Sequence, residues 1–171
     1  MIPAVSDPDI ERYVVVREVD DGKPFADPIF ERRYRATAPD FPIHILAFYL
    51  APDGQELPVC YIHFTEKGEI LLGGGACVDD RVLRRMSPEA RLAVRKTGGL
   101  YQHVLSWSLC HLSSRCKAIF GFCGDALAER ADLAVGFRRT AHSKLLVHFS
   151  QEFDESERLR LIAEAHSVGP F

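Results

Sequence analysis

The sequence predicts an α/β fold with a mixed (α+β) sheet, in which an antiparallel meander precedes a βαβ unit and helices cover both faces. Three observations support this class. Three apolar, β-branched segments follow one another with only short turns between them, and short connections make neighbouring strands antiparallel. A strongly apolar helical pattern comes next, over residues 100–112. Residues 117–149 then read as strand, helix, glycine and strand, which adds helices to the faces of the sheet.

Composition and charge narrow the class of protein. The 171 residues, 47% hydrophobic and 26% charged, suit one folded domain (1–171) and exclude a disordered chain. The net charge of −3 does not indicate electrostatic binding to nucleic acid or to an acidic membrane. The five cysteines form no CxxC pair, and the longest apolar run, Ile45 to Ala51, is too short to span a bilayer. We therefore expect reduced cysteines, a cytoplasmic protein and no membrane or nucleic-acid partner.

The first half of the chain is read mainly as strands. Residues 1–11, with Pro3 and Pro8, are expected to be a loose lead-in, and 24–38 carries a short helical pattern. Four segments have the β-branched and apolar composition of strands and end at turn residues. These predicted strands are Tyr13–Val19, Ile43–Leu50, Val59–Thr65 and Ile70–Val78.

Three consecutive glycines, Gly73 to Gly75, interrupt the last of these strands. Glycine weakens a strand interior, so the triplet indicates a β-bulge or a close approach by another backbone or a ligand. A bent strand with nothing bound remains an equal alternative.

The second half of the chain alternates helices and strands. Ser87-Pro88-Glu89 has the residues of a helix start, and Gly98-Gly99 separates that helix from the next. Asp154 and Glu157 resemble a capping box that opens a C-terminal helix within 152–166. The remaining predicted elements are a strand at Ala118–Phe122, a helix at Asp125–Val135 and a strand at Leu145–Phe149.

The segment after the Ala118–Phe122 strand resembles a motif of the GNAT (GCN5-related N-acetyltransferase) superfamily. Ala128 matches the alanine of that motif and Gly136-Phe137 match its closing pair, while Asp125 stands in place of an asparagine. The order of elements is similar as well. The physical sense is that the glycine ends a helix and the phenylalanine begins the returning strand in the core. The resemblance identifies the chain as a divergent member, although any βαβ unit can end in Gly-Phe.

The resemblance implies a donor site for acetyl-CoA or another acyl-CoA, and no metal. In the family the pyrophosphate of the donor binds at the N-terminus of a helix. The sequence that leads into this helix follows the pattern Arg/Gln-x-x-Gly-x-Gly/Ala, where x is any residue. Arg95 and Gly98 match this pattern, whereas Leu100 departs from it and residues 79–94 insert about one helix before it. The implied cofactor-binding residues are Arg95, Thr97, Gly98, Gly99 and Leu100, with the amides of Cys77 and Val78 for the pantetheine arm. A plain helix-to-helix break is the alternative for the glycine pair.

Catalysis by such a protein needs a base for the amine and often an acid for the leaving thiolate. Glu69 and Asp125 are candidate bases by position, each with the alternative of a solvated turn residue. The family's tyrosine acid falls on Asp132, so that role does not carry over. The spacing of the histidines does not predict a metal site.

The sequence leaves three functions open. The first is acyl-CoA-dependent acetyl transfer to a small-molecule or peptide amine. The second is a GNAT-like binding or regulatory module without catalysis, and the third is a transferase for longer acyl chains of the N-acyl amino acid synthase type. The late hairpin edge is a candidate homodimer contact. The acceptor cannot be read from the sequence.

Overall fold

A computed structural model describes residues 9–40 and 43–171. The expected lead-in therefore lies outside the described residues up to residue 8, and Ile10–Arg12 form a short 3-10 helix. The strands are β1 (Val14–Val19), β2 (Ile43–Leu50), β3 (Glu56–Lys67), β4 (Ile70–Gly73), β5 (Cys77–Val78), β6 (Ala118–Phe122), β7 (Arg138–Arg139) and β8 (Leu145–Phe149). The helices are α1 (Lys23–Tyr34), α2 (Asp80–Arg85), α3 (Pro88–Lys96), α4 (Leu100–Leu112), α5 (Ala126–Ala134) and α6 (Glu155–Val168).

The strands form one mixed sheet in the order β1-β2-β3-β4-β6-β8-β7, with β5 pairing β3 beyond the end of β4. Strands β1 to β4 are an antiparallel meander. The β4–β6 pair is parallel, and β8 returns antiparallel to β6. The predicted class, a meander followed by a βαβ unit in a mixed sheet, is confirmed.

Helices cover both faces of this sheet, as predicted. The front face packs against α3, α4 and α5 and contains the largest core cluster, including Ile45, Ile62 and Leu105. On the back face, α1 covers β2, β3 and β5, while α6 covers β4, β6 and β8. Side chains of successive strand residues point to opposite faces, so the near-continuous apolar composition of β2 and β6 follows from their burial on both sides.

Two predicted elements differ from the observed ones. The strand predicted over 70–78 is interrupted, because β4 ends at Gly73 and β5 begins at Cys77. The insertion at residues 79–94 forms two short helices rather than one, since Asp79 caps α2 and Ser87 caps α3. Each cap side chain accepts a hydrogen bond from the first turn of its helix, which explains why a second helix can begin so soon after the first.

All five cysteines are free thiols. No helix within residues 9–40 and 43–171 is long and apolar enough to cross a membrane.

Candidate functional site

The sheet opens between two neighbouring strands at its centre. Parallel pairing of β4 with β6 runs from Ile70↔Ala118 to Gly73↔Gly121 and stops there. Beyond that point β5 remains on β3, while β6 continues along β8 as far as Phe122↔Leu145. Pairing between the two strands therefore ends at this point, and we call the break in the sheet between β5 and the end of β6 the cleft.

A β-bulge at the three glycines turns the chain away from β6. Tyr61 pairs with Cys77 and Phe64 pairs with Gly73, so two residues of β3 face three residues, 74 to 76. An extra residue on one strand is the definition of a bulge, and it bends that strand. The predicted bulge is present.

A histidine explains why Gly74 has no side chain. A Cβ atom built on Gly74 would lie 1.9 Å from Nε2 of His63, which is far below contact distance. His63 is buried on the back face, and burial lowers the pKa of its imidazole to about 4. The close approach expected at the triplet is therefore made by a neutral histidine ring of the protein itself.

Backbone groups on β5 alternate between β3 and the cleft. The Asp79 N–H donates to the Val59 carbonyl at 2.7 Å, so Asp79 faces β3, and Cys77, two residues earlier, faces it as well. Ala76 and Val78 face the cleft, and the Tyr34 hydroxyl of α1 donates to the Ala76 carbonyl at 2.8 Å. Of the two amides expected to meet a pantetheine arm, the register directs Val78 to the cleft and Cys77 to β3.

Two glycines in left-handed backbone conformations precede α4. Gly98 has φ +86° and Gly99, the N-cap of α4, has φ +109°, a region that favours glycine. No side chain caps this helix, and its first intrahelical bond is donated by the His103 N–H to the Gly99 carbonyl. The amides of Leu100 and the next two residues consequently have no acceptor inside the helix and point out of its N-terminus.

The other residues of this loop hold its shape. The Thr97 hydroxyl donates to the Val94 carbonyl at 2.8 Å and closes the end of α3. Arg95 is exposed in the last turn of α3. Leu100 is 4% exposed and packs into the front core, so only its backbone N–H faces outward. The leucine that departs from the family pattern thus serves the core without removing an amide from the helix N-terminus.

A buried polar cluster connects the first turn of α4 to the end of β6. The Tyr101 hydroxyl donates to Oδ1 of Asp132 at 2.7 Å, and the Cys123 thiol, at the end of β6, donates to the Asp125 carbonyl at 3.1 Å. Burial raises the pKa of Asp132, an effect that the neighbouring Tyr101 hydroxyl and Cys123 thiol partly offset. Burial likewise raises the pKa of Tyr101, with Asp132, Cys123 and Cys60 adding to the shift. Tyr101 packs against the front-face core cluster that contains Cys60, and Val78 and Cys123 pack against the same cluster.

Asp125 lies at the mouth of the cleft. Its side chain caps α5 by accepting a hydrogen bond from the Leu127 N–H at 2.8 Å. The carboxylate is exposed and acts electrostatically on the Tyr34 hydroxyl, whose pKa is raised first by burial and in part by Asp125. Asp125 is thus close to the opening, but its carboxylate already serves as a helix cap.

Glu69, the other candidate base, lies at the end of β4 opposite the cleft. Glu69 precedes β4 and forms ion pairs with Lys117 at 2.6 Å and with Arg160 at 2.6 Å. The hydrogen bond from Lys117, followed by that from Arg160, lowers the pKa of Glu69. At about 3.3 Å per strand residue, β4 separates this carboxylate from the cleft by roughly 13 Å. Glu69 thus takes part in the ion pairs that join α6 to the sheet, and its role as a catalytic base stays a prediction.

Sequence reasoning missed the side chains that border the cleft. Tyr34, His63 and Tyr101 come from three different elements, and nothing in the sequence indicates that they contact Ala76, Gly74 and Asp132, respectively. Asp132 did carry a signal, since it is an acidic residue on the inward face of a short apolar helix. Among residues 9–40 and 43–171, no group of three or more histidine, cysteine or acidic side chains could hold a metal ion.

Comparisons with known proteins agree with this geometry at the level of the fold. No family model matches the sequence, and no curated protein matches it significantly. The structure is similar to the ribosomal-protein-S18-alanine N-acetyltransferase from Escherichia coli, with a TM-score of 0.53 and 10% identity over 83% of this chain and 97% of that one. The ribosomal-protein-S5-alanine acetyltransferase from Vibrio fischeri gives a TM-score of 0.49 and 9% identity over 83% and 96% of the two chains. The chain therefore has the GNAT-like fold that its sequence predicted.

Proposed function

We propose that the protein is an acyl-CoA-dependent N-acyltransferase that transfers an acetyl group to a small-molecule or peptide amine. The observation that carries the proposal is the cleft at the end of the β4–β6 pair, where the outer edge of β5 pairs with no described strand and a helix N-terminus without a side-chain cap lies nearby. The fold shared with an N-acetyltransferase supports the same assignment.

In this proposal each part of the cleft meets a different part of the donor. The Val78 backbone pairs with amides of the extended pantetheine arm, as one strand pairs with another. Cys77 supports that edge from the β3 side. The amides of Gly99 and Leu100 meet the pyrophosphate, since a helix N-terminus carries partial positive charge and outward N–H groups. Thr97 and Gly98 shape the loop, and Arg95 faces the phosphates from the end of α3.

Calorimetry and thermal unfolding with acetyl-CoA, dephospho-CoA and pantetheine test this assignment. A ligand at one hundred times its Kd raises the unfolding free energy by about 2.7 kcal/mol. For a chain of this size that corresponds to a rise in Tm of about 5–10 °C. We expect acetyl-CoA to produce this shift and pantetheine to bind much more weakly because it lacks the phosphates. No shift with millimolar acetyl-CoA or longer acyl-CoAs would overturn the proposal.

Two glycine variants separate loss of the site from loss of stability. Gly99 and Gly54 both have positive φ, and a Cβ atom on either would meet no other atom within 4 Å. Both alanine variants carry the strain of a positive φ, of about 1–3 kcal/mol, and the unfolding free energy of each is measured beside its CoA affinity. We expect only Gly99→Ala to weaken the affinity for CoA, by about tenfold or more, because only Gly99 begins α4. Equal affinities in the two variants would contradict the assignment of this loop.

A panel of amines then decides between transfer and binding alone. Product formation monitored by release of the CoA thiol supports the transferase, and its rate with acetyl, butyryl and longer donors gives the acyl preference. CoA binding without turnover on any amine would instead favour the regulatory module.

A further inference from the structure

The C-terminal end of α1 lies against the break in the sheet. The Tyr34 hydroxyl donates to the Ala76 carbonyl at 2.8 Å, and that carbonyl faces the cleft rather than β3. The hydroxyl therefore takes the place that a backbone N–H of a neighbouring strand would otherwise take. An ion pair between Arg32 and Asp79 also holds this end of α1 beside β5. Two contacts thus fix Tyr34 at the Ala76 end of the cleft.

Buried rings support the Tyr34 ring from the back face of the sheet. Its centroid lies 4.6 Å from that of Phe30, one helical turn earlier, and Phe30 is buried. A Cβ atom on Gly75 would lie 3.3 Å from Cε2 and Cζ of Phe30 and 3.6 Å from Cε1 of His63. Side chains in such a close-packed region have little room to move. The Tyr34 ring therefore cannot shift towards the sheet without displacing Phe30.

The front face bounds the same end of the cleft. The side chains of Ala76 and Val78 pack against the front core cluster, and Tyr101 and Cys123 pack against it as well. A group that lies in the break beside Ala76 is therefore bordered by core side chains on the front face and by the ring of Tyr34 on the back face.

The direction of the proposed donor brings its acyl group to this end. With the pyrophosphate at the start of α4, the thioester lies at the opposite end of the pantetheine arm. The arm pairs with Val78 and then reaches Ala76, whose carbonyl already accepts the Tyr34 hydroxyl. Strand-like pairing stops at that point, so the acyl group beyond it meets the Tyr34 ring.

We propose that Tyr34 limits the length of the acyl group and restricts the donor to acetyl-CoA and other short acyl-CoAs, an inference that rests on the proposed acyl transfer. A longer chain would have to move this ring off Phe30 and break its hydrogen bond to Ala76. A single methylene group that a site cannot accommodate changes discrimination by roughly 10- to 200-fold. The transferase for longer acyl chains is therefore the less suited of the open functions.

Calorimetry with acetyl-CoA and hexanoyl-CoA tests the inference without knowledge of the acceptor. We expect the wild type to bind hexanoyl-CoA at least about tenfold more weakly than acetyl-CoA. Tyr34→Ala should bind hexanoyl-CoA about tenfold more tightly than the wild type does, with the acetyl-CoA affinity nearly unchanged. Phe25→Ala is the matched control, because Phe25 lies near the other end of α1 and is 40% exposed, compared with 45% for Tyr34. It should keep the wild-type ratio of the two affinities.

The outcomes separate this inference from the proposed function. If the wild type binds hexanoyl-CoA as tightly as acetyl-CoA, or if Tyr34→Ala keeps the wild-type ratio, Tyr34 does not limit the acyl chain. The inference then fails while the proposed function stands. If the wild type binds neither donor nor CoA itself, the proposed function fails and the inference fails with it.

Discussion

Replacing Gly74 with alanine tests the bulge that opens the cleft. The new methyl group would be placed 1.9 Å from Nε2 and 2.5 Å from Cδ2 of His63. The imidazole cannot easily rotate away, because the rings of Phe30 and Tyr61 lie 6.2 Å and 5.6 Å from it, centroid to centroid. Forcing extra atoms into such a site typically costs about 1–3 kcal/mol. We expect a loss of about 2–3 kcal/mol, or roughly 4–12 °C in Tm for a chain of this size.

Gly124→Ala provides the matched control. Gly124 lies at the far side of the same cleft, its φ is not in the left-handed region, and a Cβ atom there would meet nothing within 4 Å. Without a clash, the substitution should leave stability unchanged or raise it by up to about 1 kcal/mol by restricting the unfolded chain. Urea denaturation followed by circular dichroism measures both variants.

A double-mutant cycle identifies the cause of any loss at Gly74. His63→Ala removes the ring, so Gly74→Ala should cost little in that background, and a coupling energy of about 1–2 kcal/mol is expected between the two positions. Additive effects, or equal stabilities of Gly74→Ala and Gly124→Ala, would refute the view that the His63 ring determines the residue at the bulge.

Three further predictions concern other parts of the molecule. Because burial lowers the pKa of His63 from 6.5 to about 4, the unfolded chain binds this proton more tightly. The unfolding free energy should therefore fall by up to about 3 kcal/mol as the pH drops from about 6.5 to about 4. The fall should be smaller in His63→Gln, and urea denaturation at each pH measures both proteins. Glu69→Gln should leave the CoA affinity measured by calorimetry unchanged, because its ion-paired carboxylate lies at the other end of β4. Leu112→Ala, in the buried core, should cost about 2–5 kcal/mol, whereas Leu127→Ala, at a side chain 76% exposed, should change stability by at most about 0.5 kcal/mol in thermal unfolding.

The elements and their order could be predicted because each has a local signal. Apolar runs bounded by turn residues gave the meander, and Ser87 and Asp154 cap helices as their positions indicated. The second half of the meander's last strand could not be predicted with the same accuracy. Periodicity reads 70–78 as one strand, whereas the change of partner at Gly73 depends on where β6 pairs. Only the glycine triplet carried a sign of that break.

The candidate site was only partly predictable for a related reason. The glycine loop at Gly98-Gly99 is contiguous in sequence, so its role as a helix start could be read directly. Glu69 was placed by its proximity to the glycine-bearing strand, but Lys117 and Arg160, the partners that fix its position, are distant in sequence. The contact between Tyr101 and Asp132 likewise joins two helices 31 residues apart. Single-sequence patterns report secondary structure and contain little information on such tertiary pairs.

The interruption of the sheet also determines what kind of ligand the cleft can accept. A strand that loses its neighbour leaves backbone donors and acceptors that need other partners. On β5 the Ala76 carbonyl accepts a hydrogen bond from the hydroxyl of Tyr34, an exposed side chain at the end of α1. Val78, two residues further, presents the same edge next to the helix start at Gly99. An extended ligand with amide groups spaced along its length would satisfy this edge as a strand does, and anionic groups at its end would meet the amides of α4. Acyl-CoA has both features in that order, which is why the geometry of the break, more than any single side chain, supports the proposed donor.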